Sequence, residues 1–259
     1  MPDSIDLQER CDALRSLHVR GKPLLLPNAW DVSTARAIEA AGFPVVATTS
    51  AGVAAALGFE DHEGAPGEEM LAAAARTARG VAVPVTVDAE AGYGMEPADL
   101  VAALRETGTA GCNLEDSDHA KEELRDPGEQ AEWLGAVREA ASELDYGLVI
   151  NARIDLFVRA PGSGEEPQSE LVDEALRRAN AYAEAGVDCV YPIALWEADA
   201  LARFASEFPG PVNALRIPPA PSIAELAELG VARISWGGLL APQAIEQFSR
   251  VLESLAEEG

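Results

Sequence analysis

Short apolar runs alternate with longer amphipathic stretches along the whole chain. Eight runs rich in Val, Leu, Ile and Ala have the length of buried strands, at residues 24–27, 45–49, 85–88, 111–115, 148–153, 189–192, 212–214 and 232–236. The stretches between them place apolar residues at helical spacing, as in 32–41, 68–79, 98–107, 128–144 and 170–185. Eight such repeats without a Pro- or Ser-rich linker predict an α/β fold, a single (β/α)8 TIM barrel over residues 1–259.

An open, doubly wound sheet is the main alternative to the barrel. That fold usually has a glycine-rich phosphate turn after its first strand. This chain has Pro27-Asn-Ala-Trp-Asp31 there instead, which favours the barrel. Three connections that follow strands are long, at 50–67, 116–127 and 157–168, and we expect them on the catalytic face. The second connection follows the fourth strand directly and is predicted to act as a lid.

Composition and charge exclude several classes of partner. The chain has 259 residues and a formal net charge of −25, which disfavours nucleic acid and anionic membranes as partners. An anionic substrate would therefore need a local positive group, either a metal ion or an arginine. No apolar run reaches the roughly 18 residues of a membrane span. The N-terminus is polar and acidic, unlike a signal peptide, so a cytoplasmic protein is expected.

Acidic side chains follow several of the predicted strands. Asp88 and Glu90 end the third strand, Glu115 ends the fourth, and Asp61 lies in the long connection after the second. The carboxyl ends of parallel strands meet at one mouth of a barrel, where such oxygens can hold a hard cation. Each residue also has a structural interpretation: Glu90 could cap the next helix, and Asp61 could accept from backbone amides. Their joint placement favours a metal site.

The other reactive side chains narrow the chemistry. Arg153 ends the fifth strand and needs an anionic partner, either the substrate or the nearby Asp155. Lys121 is the single lysine near the predicted catalytic face, on a loop too wet to suit a Schiff base. His62 and His119 lie on loops of that face, but HExxH spacing is absent, as are Gly-x-Ser-x-Gly and P-loop patterns. These features favour a metal-stabilised enolate.

Several motifs together resemble the isocitrate lyase / phosphoenolpyruvate mutase superfamily along nearly the whole chain. They are LPNAWDVSTARAIEAAGF, VVATTSAGVAAALGFED, PVTVDAEAGYG, AGCNLED, VINARID and GVDCVYP. The resemblance implies a barrel whose eighth helix, at about 241–258, is exchanged between subunits of a homodimer or homotetramer. It also implies a Mg²⁺ site, with Mn²⁺ as a substitute, in which Asp88 is the nearest ligand. Asp61, Glu90 and Glu115 would then hold water molecules on the metal.

The resemblance also implies a place for a 2-oxo acid substrate. Its carboxylate would be received by Thr49, Ser50 and Arg153. The far end would meet the lid and side chains such as Trp30 and Tyr191, although both aromatic residues could equally be packing residues. Asp61 is also counted among the substrate-binding candidates, since it lies in the same connection as Ser50.

The lid departs from the pattern of the family. Lyases of the family carry Lys-x-Cys-Gly-His there, and an ungapped count from Glu115 places Lys121, Glu123 and Arg125 on its lysine, cysteine and histidine. The usual acid is therefore missing, which disfavours isocitrate or methylisocitrate cleavage by the common route. Glu123, His119 or Lys121 is the expected proton donor. Glu123 and Pro192 also depart from the residues expected for phosphorus–carbon chemistry.

Three hypotheses follow. The first is a Mg²⁺-dependent lyase or decarboxylase that breaks a carbon–carbon bond of an oxaloacetate-type 2-oxo acid. The second is a phosphoenolpyruvate mutase or phosphonopyruvate hydrolase. The third is a protein that binds 2-oxo acids with little catalysis.

Overall fold

The computed structural model describes residues 7–159 and 167–258, and these form a closed parallel barrel. Its eight strands lie at Leu24–Leu26 with Asn28–Ala29, Val46–Thr48, Val85–Asp88, Gly111–Glu115, Val149–Ile154, Cys189–Pro192, Asn213–Leu215 and Arg233–Ser235. Parallel ladders join them in chain order, with a single bridge between Val190 and Val212 linking the sixth and seventh strands. Leu24–Leu26 pairs with Arg233–Ser235 and so closes the barrel, as the sequence predicts.

Helices surround the strands. They span Leu7–Ser16, Val32–Ala40, Ser50–Leu57, Gly67–Gly80, Pro97–Thr107, Pro127–Glu143, Leu156–Arg159, Val172–Glu184, Ala198–Glu207, Ile223–Glu228 and Leu240–Glu257, with a 3-10 turn at Gln168–Leu171. The main core lies between strands and helices, where Leu104, Leu134 and Phe204 are fully buried. Asp31 and Ser222 each begin a helix with a capping box, in which side chain and backbone satisfy each other's hydrogen bonds.

The three long connections are more ordered than the sequence suggests. The first contains the helix Ser50–Leu57, an apolar, alanine-rich segment. The lid contains a two-stranded hairpin in which Ser117–Asp118 pairs with Glu123–Leu124. The third begins with the helix Leu156–Arg159, and residues 160–166 of the predicted connection lie outside the described residues.

The barrel interior is more polar than the usual packing of branched aliphatic side chains. The fourth and eighth strands lie on opposite sides of the barrel, and Arg233 Nη2 donates to Asn113 Oδ1 across it at 3.0 Å. Asn151 Nδ2 donates to the same oxygen at 2.8 Å. Arg233 is 1% exposed, and its Nε and Nη1 have no partner among the described residues. Two positions further along the fourth and fifth strands lie Glu115 and Arg153, which belong to the site described next.

The last helix, Leu240–Glu257, has no buried residue. It exposes the apolar side chains Ile245, Phe248, Val251, Leu252 and Leu255. Such a face lacks the cover that an amphipathic helix normally has. Exchange of this helix between subunits stays a prediction. The exposed apolar face is what such an exchange would cover. In the described parts of the chain, no helix has the length and apolar character needed to cross a bilayer.

Candidate active site

Neighbouring strands bring a carboxylate and a guanidinium together at the carboxyl end of the barrel. Strand register places Glu115 beside Arg153, and Arg153 beside Tyr191. Arg153 Nη1 lies 2.6 Å from Glu115 Oε2. Arg153 also donates from Nε and Nη2 to the two oxygens of Asp155, at 2.6 and 3.1 Å. Asp155 is therefore the internal partner of Arg153, as the sequence suggested. The Arg153 guanidinium also lines a cavity.

The second acid of the Glu115–Asp116 pair has a different task. Asp116 is fully buried and accepts from Arg178 Nη1 at 2.8 Å and from the Tyr182 hydroxyl at 2.7 Å. Its other oxygen accepts from the backbone N–H of Asp155 at 2.8 Å. Since successive strand residues face opposite sides, Glu115 is turned to the mouth and Asp116 to the helix behind it. Asp116 thus positions Asp155, which in turn orients Arg153.

Three further carboxylates lie around the ends of the second and third strands. Asp88 Oδ2 accepts from the backbone N–H of Ser50 at 3.2 Å, and Glu90 Oε1 accepts from that of Glu63 at 2.6 Å. Asp88 Oδ1 and Asp61 Oδ1 are buried and have no hydrogen-bond partner in the described parts of the chain. Buried acceptors are nearly always paired with a donor, a water or an ion. These two oxygens are therefore available to a ligand.

The turn after the third strand holds Glu90 in place. Glu90 and Tyr93 both have positive φ angles, 48° and 56°, in a turn that also contains Gly92 at 93°. A Cβ on Gly92 would lie 2.9 Å from the Trp133 ring. Left-handed backbone at non-glycine residues costs on the order of 1 kcal/mol or more and is concentrated at functional sites. The conformation keeps Glu90 close enough to Asp88 for their charges to interact.

The electrostatics of this cluster are unfavourable without a counter-charge. Burial, helped by the charges of Asp88, Asp61 and Glu115, raises the pKa of Glu90 to about 8, against the hydrogen bond from the Glu63 backbone. Burial also raises the pKa of Glu115, although Arg153 opposes this. A low-dielectric site with several carboxylates favours either a bound proton or a cation.

Thr49 and Ser50 lie where a substrate carboxylate is expected. Both are buried at the end of the second strand, and Ser50 is the first residue of the helix Ser50–Leu57. The first backbone N–H groups of a helix lack partners within it and attract anions. The Thr49 side chain makes no cap hydrogen bond to this helix. The position fits the predicted carboxylate site, and the contact itself remains a prediction.

The lid candidates separate clearly in the structure. His119 Nε2 lies 2.6 Å from Glu115 Oε1, and His119 Nδ1 lies 2.8 Å from Arg159 Nη2. Burial lowers the pKa of His119, but the bond to Glu115 and its charge outweigh burial, so the pKa is raised. Lys121 and Glu123 have side chains that are 68% and 62% exposed, and Lys121 pairs with Asp118. Of the three predicted proton donors, only His119 contacts the carboxylate cluster.

A cavity of about 470 Å³ opens beside these residues. It is lined by His62, His119, Glu122, Arg153, Asp155, Val158 and Arg159. Tyr191 is buried next to Arg153 in the strand register. Trp30 instead packs with Val53 and lines a separate cavity between helices. Its placement supports the packing interpretation rather than substrate contact.

Two further residues of the site, Arg159 and Glu63, are not among those that the sequence motifs indicate. Arg159 is the last residue of a one-turn helix after the fifth strand, and its side chain reaches His119. The signal available in the sequence was a lone arginine six residues after Arg153 in a connection of the catalytic face. Glu63 accepts from the backbone N–H of Tyr93 at 2.6 Å, which ties the first long connection to the Glu90 turn.

The predicted metal ligands do not form a closed cage. Within residues 7–159 and 167–258, no three His, Cys, Asp or Glu side chains are close enough together to hold an ion directly. The resemblance implied one direct carboxylate ligand with the others acting through water, so the ligand set stays a prediction.

Comparison with known proteins decides the family. The phosphoenolpyruvate phosphomutase family model matches residues 14–256. The chain belongs to this family. The predicted membership of the isocitrate lyase / phosphoenolpyruvate mutase superfamily and the predicted barrel are both confirmed.

Individual relatives show the same relationship. A solved structure named "putative phosphonomutase", from Burkholderia cenocepacia J2315, is 39% identical, with a TM-score of 0.90 over 96% of this chain and 99% of that one. An uncharacterized protein of Mycobacterium tuberculosis is 36% identical over 88% of this chain and 82% of its own length. A "probable 2-methylisocitrate lyase 2" of Corynebacterium glutamicum is 35% identical over 73% of this chain and 60% of its own length. The named relatives are lyases and mutases, which supports an enzyme without fixing its reaction.

Proposed function

We propose that the chain is a Mg²⁺-dependent enzyme that cleaves a carbon–carbon bond of a small 2-oxo acid through an enolate. The observation that carries the proposal is the carboxylate cluster at the barrel mouth. Asp88 and Asp61 each keep a buried oxygen without a partner in the described chain, and Glu90 is buried among like charges. A donor set of carboxylate oxygens is what Mg²⁺ prefers. These residues therefore fit the ion.

Each side chain then has a defined task. Asp88 would hold the ion, and Asp61, Glu90 and Glu115 would hold its water molecules. When bound, Mg²⁺ would act as a Lewis acid toward the oxygens of the 2-oxo acid. The hydroxyls of Thr49 and Ser50 and the guanidinium of Arg153 would bind the substrate carboxylate. The Ser50 N–H, which donates to Asp88 Oδ2, would be shared with it.

His119 would deliver a proton to the carbanion that cleavage leaves, because it is the lid candidate that lines the cavity and contacts the carboxylate cluster. Its Nε2 faces Glu115, and its Nδ1 faces the Arg159 guanidinium, which can only donate. Nδ1 must therefore accept, and the ring proton of neutral His119 resides on Nε2. Glu115 stabilises that tautomer and would also stabilise the charged ring. Lys121 and Glu123 lie outside this arrangement.

The test incubates the protein with a panel of oxaloacetate and branched 2-oxo acids, first with Mg²⁺ and then with EDTA. NMR monitors the conversion of each compound. We expect turnover that EDTA abolishes and Mg²⁺ or Mn²⁺ restores. Asp88→Asn should remove it, whereas Asp99→Asn, on the exposed face of the helix Pro97–Thr107, should leave it unchanged. Binding of 2-oxo acids without product across the panel would favour a binding protein instead, and the absence of both would refute the proposal.

Phosphorus–carbon chemistry is the second candidate, and the comparisons give it a specific reason. The family model is that of a phosphomutase, and the Burkholderia relative is named a phosphonomutase. The exposed position of Glu123 on the hairpin offers no group to a transferring phosphoryl. A ³¹P spectrum of phosphonopyruvate incubated with the protein and Mg²⁺ distinguishes the candidates, since loss of the phosphonate signal would favour this second reaction.

A further inference from the structure

The cavity beside His119 contains two guanidinium groups with very different surroundings. Arg153 is bound to Asp155 by two hydrogen bonds and to Glu115 by an ion pair, so its charge is already balanced by two carboxylates. Arg159 lines the same cavity, and its guanidinium contacts His119 Nδ1. Among the described residues, no carboxylate lies within ion-pair distance of Arg159. Within that part of the chain, Arg159 is thus the cavity-lining arginine without a carboxylate partner.

The rest of the site makes this charge important for an anionic substrate. The cavity is lined by Glu122 and Asp155, and the whole chain carries a net charge of −25. A substrate with two carboxylates would be repelled unless each one meets a cation or a set of N–H donors. The hydroxyls of Ser50 and Thr49 and the remaining N–H donors of Arg153 can serve the first carboxylate. An arginine has five N–H donors, so Arg159 keeps donors for a second one after its bond to His119.

The backbone fixes where Arg159 can reach. Its N–H donates to the carbonyl of Asp155 at 2.9 Å, in the short helix that directly follows the fifth strand. The same Asp155 orients Arg153 through its side chain. Asp155 therefore positions both Arg153 and Arg159, and both guanidinium groups line the same cavity. This arrangement suits a short ligand with an anionic group at each end.

We propose that Arg159 is the specificity residue for the far end of the substrate, where it receives an anionic group, in particular a second carboxylate. The inference rests on the proposed function and adds the residue that distinguishes a 2-oxo dicarboxylate from a 2-oxo monocarboxylate. Arg159 would bind this carboxylate in a two-pronged, charge-assisted way, which a lysine matches only in part.

The experiment compares ligands that differ only at the far end. Dissociation constants are measured by calorimetry with saturating Mg²⁺ for 2-oxoglutarate and for 2-oxopentanoate, in which a methyl group replaces the distal carboxylate. Oxalate, which has no far end, reports on the metal and head-group half of the site. We expect the wild-type protein to prefer 2-oxoglutarate at least tenfold. Arg159→Gln should lose this preference and keep its oxalate affinity within about twofold, and Arg159→Lys should keep part of the preference.

Arg177→Gln is the matched control, because Arg177 is an exposed arginine that pairs with Glu174 and does not line the cavity. It should leave all three dissociation constants unchanged. An unchanged preference in Arg159→Gln would overturn the inference while leaving the proposed function intact. A parallel loss of oxalate affinity in that variant would also overturn it, since Arg159 would then act on the head group or on folding. Failure of the wild-type protein to bind oxalate with Mg²⁺ would refute both proposals.

Discussion

Glu90 offers a direct test of the electrostatics at the barrel mouth. Its carboxyl is 3% exposed, and burial with the neighbouring carboxylates raises its pKa from 4.5 to about 8. Glu90→Gln keeps the size of the side chain and an oxygen for the Glu63 N–H. It removes the charge and the titration. The variant therefore isolates the free energy of placing a negative charge at this position.

The direction follows from proton binding. Between pH 4.5 and about 8 the folded protein keeps a proton on Glu90 that the unfolded chain has lost, so the free energy of unfolding falls as pH rises through this window. The slope is about 1.4 kcal/mol per pH unit for one proton. Over the window this amounts to a loss on the order of 5 kcal/mol, as an upper limit. Above pH 8, Glu90 should no longer change the free energy of unfolding with pH.

The assay is urea unfolding followed by tryptophan fluorescence at several pH values between 5 and 9, without divalent ions. Wild type and Glu90→Gln should be similarly stable near pH 5, and the variant should be more stable by several kcal/mol near pH 8.5. Mg²⁺ should narrow this difference, because a bound cation stabilises the charged form. Glu106→Gln, at an exposed helix position, should follow the wild-type profile. Parallel profiles for wild type and Glu90→Gln across this range would refute the reasoning.

Three further predictions address the lid, the last helix and the barrel interior. His119→Gln should lower kcat by about 10²–10⁴ if His119 delivers the proton, whereas Lys121→Ala should stay within about twofold; similar losses in both variants would contradict the assignment. Phe248→Glu, on the exposed apolar face of Leu240–Glu257, should dissociate an oligomer into smaller species in light scattering, and an unchanged mass would contradict helix exchange. Arg233→Met should leave the free energy of unfolding unchanged or raise it by about 1–4 kcal/mol, because an apolar side chain replaces a buried guanidinium with two unpaired nitrogens. A decrease of more than about 2 kcal/mol in urea unfolding would contradict this prediction.

The barrel was predictable because each element carries its own local signal. The run at 85–88 is apolar, ends in Asp88 and is followed by a glycine turn, and the structure places a strand at Val85–Asp88. Asp31 was placed to begin a helix, and it does so with a capping box. The sequence indicates a long connection at 50–67, and the structure shows that this connection contains the helix Ser50–Leu57. Its alanine-rich sequence has almost no amphipathic contrast, so periodicity could not reveal it.

The carboxylates of the mouth were predictable as a set, and their pairing was not. The sequence placed Glu115 and Arg153 at the ends of the fourth and fifth strands, and strand register brings them to an ion pair of 2.6 Å. It could not choose among His119, Lys121 and Glu123, since all three lie within five residues on one lid. The hairpin at 117–124 makes the choice, because it turns His119 inward and leaves Lys121 in solvent.

Periodicity and strand-end chemistry, which are local properties, thus determined the barrel, its catalytic end and the acidic character of its mouth. Arg159 illustrates what only the tertiary structure decided, since its role depends on a contact with His119, 40 residues earlier in the chain. The ion pairs of Arg153 and the buried, unpaired oxygens of Asp88 and Asp61 also depend on tertiary contacts. The electrostatic energies of these groups depend on their burial and on distances between residues that are far apart in the sequence. Neither quantity can be read from the sequence alone.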